Sequence, residues 1–235
     1  MLQRLSRMMS SAIMVLALAL VARPAAAQTE RGTEIIESAL AAAPNQRVGE
    51  RIYRERCASC HGGNAHGSAD PVTPSLAAQQ ELYLIKQLVD FAEGDRIEPE
   101  MHRIVALKEL STPQAIRDVS SYLNGLPGNT RPETGDGKNL ADGKRYYEGL
   151  CAFCHGQHGE GNEQHATPSL QRQHYSYLLM QSRRLAVGHR YSVPVEVIEV
   201  LENVPFDTLT AIADYVSRLP APVTMTPAAD NANHK

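Results

Sequence analysis

The chain has 235 residues, with 23 basic and 26 acidic side chains and a formal net charge of −3 at pH 7. The first 27 residues carry three arginines and no acid, so without them 20 basic side chains stand against the same 26 acidic ones. This acidity excludes nucleic acid as the expected partner, favours solubility and allows docking to a positively charged patch of another protein.

Residues 1–27 have the pattern of a secretory signal peptide. Arg4 and Arg7 give a positively charged start, residues 12–22 are apolar, and three alanines at 25–27 form a small-residue cleavage site. The apolar run is shorter than the roughly 20 residues that span a bilayer, so we expect cleavage rather than an uncleaved anchor. No later segment is apolar enough to span, which predicts a soluble, exported chain.

Residues 28–45 are polar and rich in alanine, and a short helix is predicted within 34–43. We expect this stretch to be a mobile lead-in without a function of its own. The first domain is predicted to occupy residues 46–128, and a helix over 49–57 would run directly into its central motif.

That motif is Cys-x-x-Cys-His at 57–61, and it recurs 94 residues later at 151–155, using all four cysteines of the chain. On a helix, residues i and i+3 share one face, so both thiols of a motif can reach one porphyrin. The following histidine can supply the proximal nitrogen to iron. The pattern predicts two covalently bound haem c groups. The residues predicted to attach and ligate them are Cys57, Cys60, His61, Cys151, Cys154 and His155.

Two other uses of paired cysteines fit less well. A structural zinc site also gathers four cysteines, but its two pairs usually lie about 15–20 residues apart, whereas here the pairs are separated by 94 residues. A thioredoxin-like redox pair requires a βαβ pattern, and this chain has no strand-rich runs. Haem attachment is therefore favoured over zinc binding and over redox disulfides.

The rest of the first domain shows helical signals. Apolar residues at near-helical spacing predict a helix over 80–91, which ends at Gly94. Ser-Thr-Pro at 111–113 marks the start of a last helix. Residues 129–142 are rich in glycine, proline and polar side chains, and this composition predicts an interdomain linker.

Residues 143–222 repeat the first domain, before a C-terminal tail at 223–235. The tripeptide Pro-Ser-Leu at 74–76 recurs at 168–170, again with an offset of 94 residues, and a helix is predicted over 175–185. Each unit has roughly 80–90 residues, a size at which a protein core alone is marginal and a buried haem supplies apolar mass. The fold class predicted is all-α, with two tandem haem domains.

These features together resemble the dihaem cytochrome c4 family, a group of class I cytochromes c. The likeness covers about residues 46–222 and lies in the two Cys-x-x-Cys-His motifs, the glycine-rich loops after them, the Pro-x-Leu tripeptides, Gln87-Leu88 and a methionine. It implies periplasmic electron transfer, with a membrane oxidase, a cytochrome bc1-type complex or a dehydrogenase as partner. It also implies that the carbonyls of Pro74 and Pro168 orient His61 and His155.

The resemblance further implies that Met101, 40 residues after His61, is the sixth ligand of the first haem. A thioether favours ferrous iron and raises the reduction potential. Two alternatives are that Met101 only fills the core and that the neighbouring His102 ligates instead.

The second domain has no methionine at the matching place. An offset of 94 residues puts Val195 opposite Met101, and an offset of 93 puts Pro194 there. The sequence leaves the sixth ligand of the second haem open. The candidates are no side chain at all, His189, Tyr191, or one of the distant methionines Met180 and Met225. The loop histidines His158, His165 and His174 are expected to be solvated.

Three functions remain open at this point. The first is a soluble dihaem electron carrier that receives and passes on single electrons. The second is an electron-transfer subunit of a periplasmic dehydrogenase complex. The third is a haem enzyme or sensor, in which an open second iron binds peroxide, nitric oxide or carbon monoxide.

Overall fold

The structure, a computed structural model, describes residues 25–70 and 72–220 and is built from helices. Among these residues extended pairing is limited to two isolated bridges, Ser68 with Thr73 and Asn162 with Thr167. The predicted all-α class is therefore confirmed. No helix in the described part of the chain has the length and apolar content to cross a bilayer. The predicted signal peptide up to residue 24, and the tail from residue 221, lie outside the described residues.

The first unit consists of an N-terminal helix followed by five more. Its core lies between α2, α4 and α6, and a short 3₁₀ turn at Lys108–Leu110 precedes α6. Thr112 caps α6, because its hydroxyl accepts a hydrogen bond from the Ala115 amide at 3.2 Å. The six helices are α1 (Ala25–Ala41), α2 (Gln46–Arg56), α3 (Ala58–His61), α4 (Glu81–Glu93), α5 (Pro99–Val105) and α6 (Pro113–Asn124).

Among the described residues, the second unit repeats the order of α2 to α6 and has no counterpart of α1. Its first helix continues through a π-helical turn, Tyr147–Cys151, into the second cysteine motif. The five helices are α7 (Leu140–Tyr146), α8 (Ala152–His155), α9 (Tyr175–Ala186), α10 (Val195–Glu202) and α11 (Phe206–Ser217). The helices predicted before the first motif, over 80–91 and over 175–185 are confirmed as α2, α4 and α9. The short helices α5 and α10 were not predicted.

The expectation of a mobile lead-in at 28–45 is wrong. Helix α1 packs against α4 and α6, where Ala39 is buried together with Ile85, Val89 and Ile116. Three apolar side chains, at positions 35, 36 and 39, share one face of the helix. The overall composition of the segment is polar and does not reveal this apolar face. The lead-in is therefore part of the first unit.

The predicted linker at 129–142 is fixed rather than loose, and it is shorter than expected because α7 begins at Leu140. Asn129 is buried, and the Glu133 carbonyl accepts a hydrogen bond from the Tyr175 amide at 3.0 Å. The Glu133 carboxylate accepts another from the Ser176 amide at 2.8 Å. The connection thus supplies acceptors to the first amides of α9, which have no partners within the helix.

A glycine sits at the same helix crossing in both units. A Cβ atom on Gly49 of α2 would lie 2.0 Å from the carbonyl oxygen of Asp118 on α6, and one on Gly143 of α7 would lie 2.1 Å from that of Ala211 on α11. The obstacle is backbone, which a rotamer change cannot move. Glycine therefore permits the close approach of the last helix of each unit to the helix that leads into the cysteine motif.

Replacing Gly49 or Gly143 with alanine should lower the free energy of unfolding by about 1–3 kcal/mol, the usual effect of overpacking. Helix propensity alone predicts that alanine would raise the free energy of unfolding by about 1 kcal/mol. The sign of the measured change therefore separates overpacking from helix propensity. Chemical denaturation measures it. The matched control is Gly149→Ala, because a Cβ there has no neighbour within 4 Å. Equal stability of the Gly143→Ala and Gly149→Ala variants would contradict the close crossing.

Candidate functional site

Each cysteine motif forms a short helical turn at the end of a longer helix. Cys57 closes α2 and opens α3, and its carbonyl accepts a hydrogen bond from the His61 amide at 3.0 Å. Cys57 is half-buried, and Cys60, one turn later, is exposed. The second motif repeats this arrangement with Cys151 and Cys154. All four thiols are free, and each pair lies on one helical face, as attachment to a single porphyrin requires.

Both motif histidines are held by a proline carbonyl. The Nδ1 atom of His61 lies 3.1 Å from the Pro74 oxygen, and Nδ1 of His155 lies 3.1 Å from the Pro168 oxygen. A carbonyl can only accept, so Nδ1 carries the proton and Nε2 carries the lone pair. Burial lowers the pKa of both histidines, which keeps the rings neutral. A neutral imidazole with a free Nε2 is the form that ligates iron.

The first thiol of each motif does not have the character of a redox-active cysteine. Burial raises the pKa of both Cys57 and Cys151 to about 11, whereas reactive redox thiols have a lowered pKa. Within residues 25–70 and 72–220, no three or more His, Cys, Asp and Glu side chains are grouped as a metal site would need. The donor set therefore fits two haems and does not fit one zinc ion.

The loop after each motif brings the proline carbonyl to the histidine. Gly67 has a φ of +69°, and a Cβ atom on it would lie 2.3 Å from the Thr73 oxygen and 2.5 Å from the Pro74 oxygen. Its amide donates to the His61 carbonyl at 2.9 Å. Gly161 does the same in the second unit, with a φ of +74°. Only glycine fits here, because the left-handed backbone and the contact both exclude a side chain.

Two buried arginines lie between the units. Arg96 donates to Tyr177 of the second unit at 2.9 Å, and Arg190 donates to Tyr83 of the first unit at 3.1 Å. The amide oxygen of Gln87 accepts from both guanidinium groups. Arg190 also has a buried Nε–H without a hydrogen-bond partner. A buried, incompletely paired guanidinium suits an anionic group, and a haem brings two propionates.

The structure places Met101 in α5, half-buried. The neighbouring His102 is exposed, and its Nδ1 donates to the Phe91 carbonyl at 2.7 Å. In the second unit Val195, at the start of α10, is 59% exposed, and Tyr191 is 66% exposed. His189 is also exposed. The half-buried Met180 lies within α9, and Met225 lies outside the described residues.

Comparison with known proteins identifies the architecture. The family model described as Cytochrome c matches residues 47–127 and 140–193, one match for each unit. The chain belongs to the cytochrome c family. A cytochrome c4 from Pseudomonas aeruginosa is 33% identical over 140 residues, which cover 57% of this chain and 68% of that protein. The crystal structure of reduced cytochrome c4 from Pseudomonas stutzeri superposes with a TM-score of 0.67 at 25% identity, over 76% of this chain and 100% of that one.

A relative with a different role is also similar. The thiosulfate dehydrogenase electron acceptor of Stutzerimonas stutzeri is 28% identical over 189 residues, which cover 73% of this chain and 86% of that protein. Together these relatives support a dihaem cytochrome c4-like protein that takes part in electron transfer. Its two Cys-x-x-Cys-His motifs carry two covalent haem c groups.

Sequence reasoning named Gln87 only as part of the family resemblance and missed the other polar residues between the units of this cytochrome. The signal was present, because three pairs of them follow the offset of 94 residues that relates the two motifs. Residue type alone does not mark these positions as buried, since Arg and Gln are mostly exposed in proteins and Tyr is intermediate. These pairs are Tyr83 with Tyr177, Gln87 with Gln181, and Arg96 with Arg190.

The expectation that His174 is solvated is wrong. The ring is buried, its Nδ1 accepts from the Glu133 amide at 3.0 Å, and its Nε2 lies 2.8 Å from the carbonyl oxygen of His66 in the first unit. Since a carbonyl only accepts, the proton is on Nε2. His174 therefore joins the connecting segment to both units of the cytochrome.

Gly67→Ala should displace the Pro74 carbonyl from His61 and raise the reduction potential of the first haem, because the weakened hydrogen bond makes the imidazole a poorer donor to ferric iron. The matched control is Gly94→Ala. Gly94 has a φ of +84°, but a Cβ there meets nothing within 4 Å. Both variants incur the left-handed backbone cost of about 1–2 kcal/mol. A redox titration in which both variants shift alike would contradict the role assigned to Gly67.

Proposed function

We propose that this cytochrome is a periplasmic dihaem carrier that transfers single electrons between redox proteins. His61 and Met101 ligate the first iron, and His155 ligates the second. The observation that carries the proposal is the duplicated motif in which each histidine is tied through Nδ1 to a proline carbonyl, at 3.1 Å in both units. Two equivalent proximal sites in one chain suit a protein that holds two irons for electron transfer.

Each bound haem supplies an iron that alternates between the ferric and ferrous states by gaining and losing one electron. The protein chain contributes the orientation and the tautomer of the histidine ligand. The proton of His61 stays on Nδ1, bonded to the Pro74 oxygen, and an iron bound at Nε2 would leave no place on the ring for a second proton. Electron transfer at this site therefore requires no proton movement on the ligand.

The proposed location rests on the signal-peptide pattern of residues 1–27 and on the resemblance to the cytochrome c4 family. For the electron donor we favour a dehydrogenase, because one relative is a thiosulfate dehydrogenase electron acceptor. For the acceptor we propose a membrane oxidase, and a cytochrome bc1-type complex is the alternative donor. Co-purification of a dehydrogenase subunit in equimolar amount would instead make the chain a permanent subunit of that enzyme.

Met101→Ala should abolish the methionine–iron charge-transfer absorbance and lower the potential of the first haem, within the range of about 0.8 V that axial ligands span. The soft thioether that favours ferrous iron is lost, while the proximal side is unchanged. A redox titration followed by absorbance and electron paramagnetic resonance measures both effects. Met180→Ala is the control and should leave them unaltered. An unchanged band in Met101→Ala would show that Met101 only packs.

A second candidate function, binding of a small ligand at the second haem, is favoured by the repeat, which puts Val195 or Pro194 opposite Met101, and neither side chain can ligate iron. Carbon monoxide should bind one haem of the reduced protein readily and the other hardly at all. His189→Ala should leave this behaviour unchanged if the second iron is open, and should convert that iron from low to high spin if His189 ligates it. Methionine-type spectra from both haems would contradict the asymmetry, and fast peroxide turnover would contradict a pure carrier.

A further inference from the structure

A buried glutamine of the second unit grips the backbone of the first. The Oε1 atom of Gln173 accepts a hydrogen bond from the Ser75 amide at 2.9 Å, and its Nε2 donates to the Ser75 carbonyl at 2.9 Å. Gln173 is 5% exposed and Ser75 is 6% exposed. Water therefore has little access to either hydrogen bond, and the low local dielectric strengthens both.

Gln79 of the first unit bonds the backbone of the second unit in the same way. The Oε1 atom of Gln79 accepts from the Ser169 amide at 2.8 Å, and its Nε2 donates to the Ser169 carbonyl at 2.9 Å. Each glutamine is also fixed on its own side, because its Oε1 accepts from the next amide of its chain, that of Gln80 at 2.9 Å or that of His174 at 3.1 Å. The two contacts are thus preorganised and reciprocal.

Each gripped amide belongs to the peptide group that holds a haem-ligand histidine. The N–H of Ser75 and the C=O of Pro74 are parts of one planar peptide unit. Gln173 bonds the N–H end of this unit, and His61 bonds the C=O end at 3.1 Å. In the second unit the corresponding residues are Gln79, Ser169, Pro168 and His155.

We propose that Gln173 and Gln79 are positioning residues, each of which holds and polarises the peptide group that orients the haem-ligand histidine of the other unit. The inference rests on the proposed function, in which His61 and His155 ligate the irons. Hydrogen bonds in series strengthen one another. A stronger acceptor at Nδ1 makes the imidazole a better donor, which stabilises ferric iron. Each glutamine therefore lowers the potential of the haem in the opposite unit.

The test uses the full chain with both haems and follows each haem separately, by the paramagnetic NMR signals of its own histidine during a redox titration. In Gln173→Leu the ferrous-to-ferric ratio of the first haem at a fixed applied potential should rise severalfold, while that of the second haem stays the same. Gln79→Leu should give the reverse. This crossed pattern distinguishes positioning from a local structural defect, which would act on the haem of the mutated unit.

Gln80→Leu is the matched control. Gln80 also reaches across the units, where its Nε2 donates to the Glu160 carbonyl at 2.7 Å, but this carbonyl holds neither histidine. Both potentials should be unchanged in the variant. If Gln173→Leu does not incorporate both haems, Gln173→Asn is the second variant. It keeps an amide at this position, but its side chain is one methylene too short to bond Ser75. It should give the same crossed shift.

A shift confined to the haem of the mutated unit, an equal shift of both haems, or no shift in either variant would overturn the inference. The outcome is separable from that of the proposed function. If the wild-type spectra lack histidine-ligated haems, the proposed function fails. If those spectra show two histidine-ligated haems and the glutamine variants leave both potentials unmoved, only the role of the glutamines fails.

Discussion

The hydrogen bond from a histidine Nδ1 to a proline carbonyl, 3.1 Å long in each unit, is the contact on which both haem sites depend. It fixes the tautomer and leaves Nε2 as the nitrogen through which we propose each histidine ligates iron. The surrounding structure serves to place this one carbonyl. Gly67 lets the loop approach it closely, and the grip of Gln173 holds the far end of the same peptide group. The proximal ligand is thus set by backbone rather than by a titrating side chain.

Duplication within one chain accounts for the form of the contact between the units. In a two-fold interface, residue i of one copy meets residue j of the other, and j meets i. Here Gln79 of the first unit bonds Ser169 of the second, and Gln173 of the second unit bonds Ser75 of the first. The same duplicated pair of residues therefore forms both contacts. Separating the units would exchange these hydrogen bonds for bonds to water, at a net cost of about 0.5–1.5 kcal/mol each. The polar interface therefore favours a single fixed arrangement.

The parts of this molecule that follow local rules could be predicted from its sequence. The cysteine motifs, the proline tripeptides and the long helices have short-range signals, and the structure contains those helices where they were expected. The packing of α1 was not predicted. Its segment is mostly polar, and its three apolar side chains form a buried face only when α4 and α6 are present. The glutamine contacts join residues 90 and 98 positions apart, and no local pattern marks a glutamine whose partner is backbone.

The repeat is kept on the proximal side and lost on the distal side. The distance from histidine Nδ1 to the proline oxygen, and the distance from the serine amide to the glutamine oxygen, each agree between the units to within 0.1 Å. Met101, in contrast, is matched in the repeat by Val195 or Pro194, and neither can donate to iron. Because the two imidazoles have matching hydrogen-bond partners, these bonds should contribute equally to the two potentials. A difference between the haems then has to arise from the sixth ligand and from solvent access, which makes the distal side of the second unit the place where this cytochrome departs from a symmetric carrier.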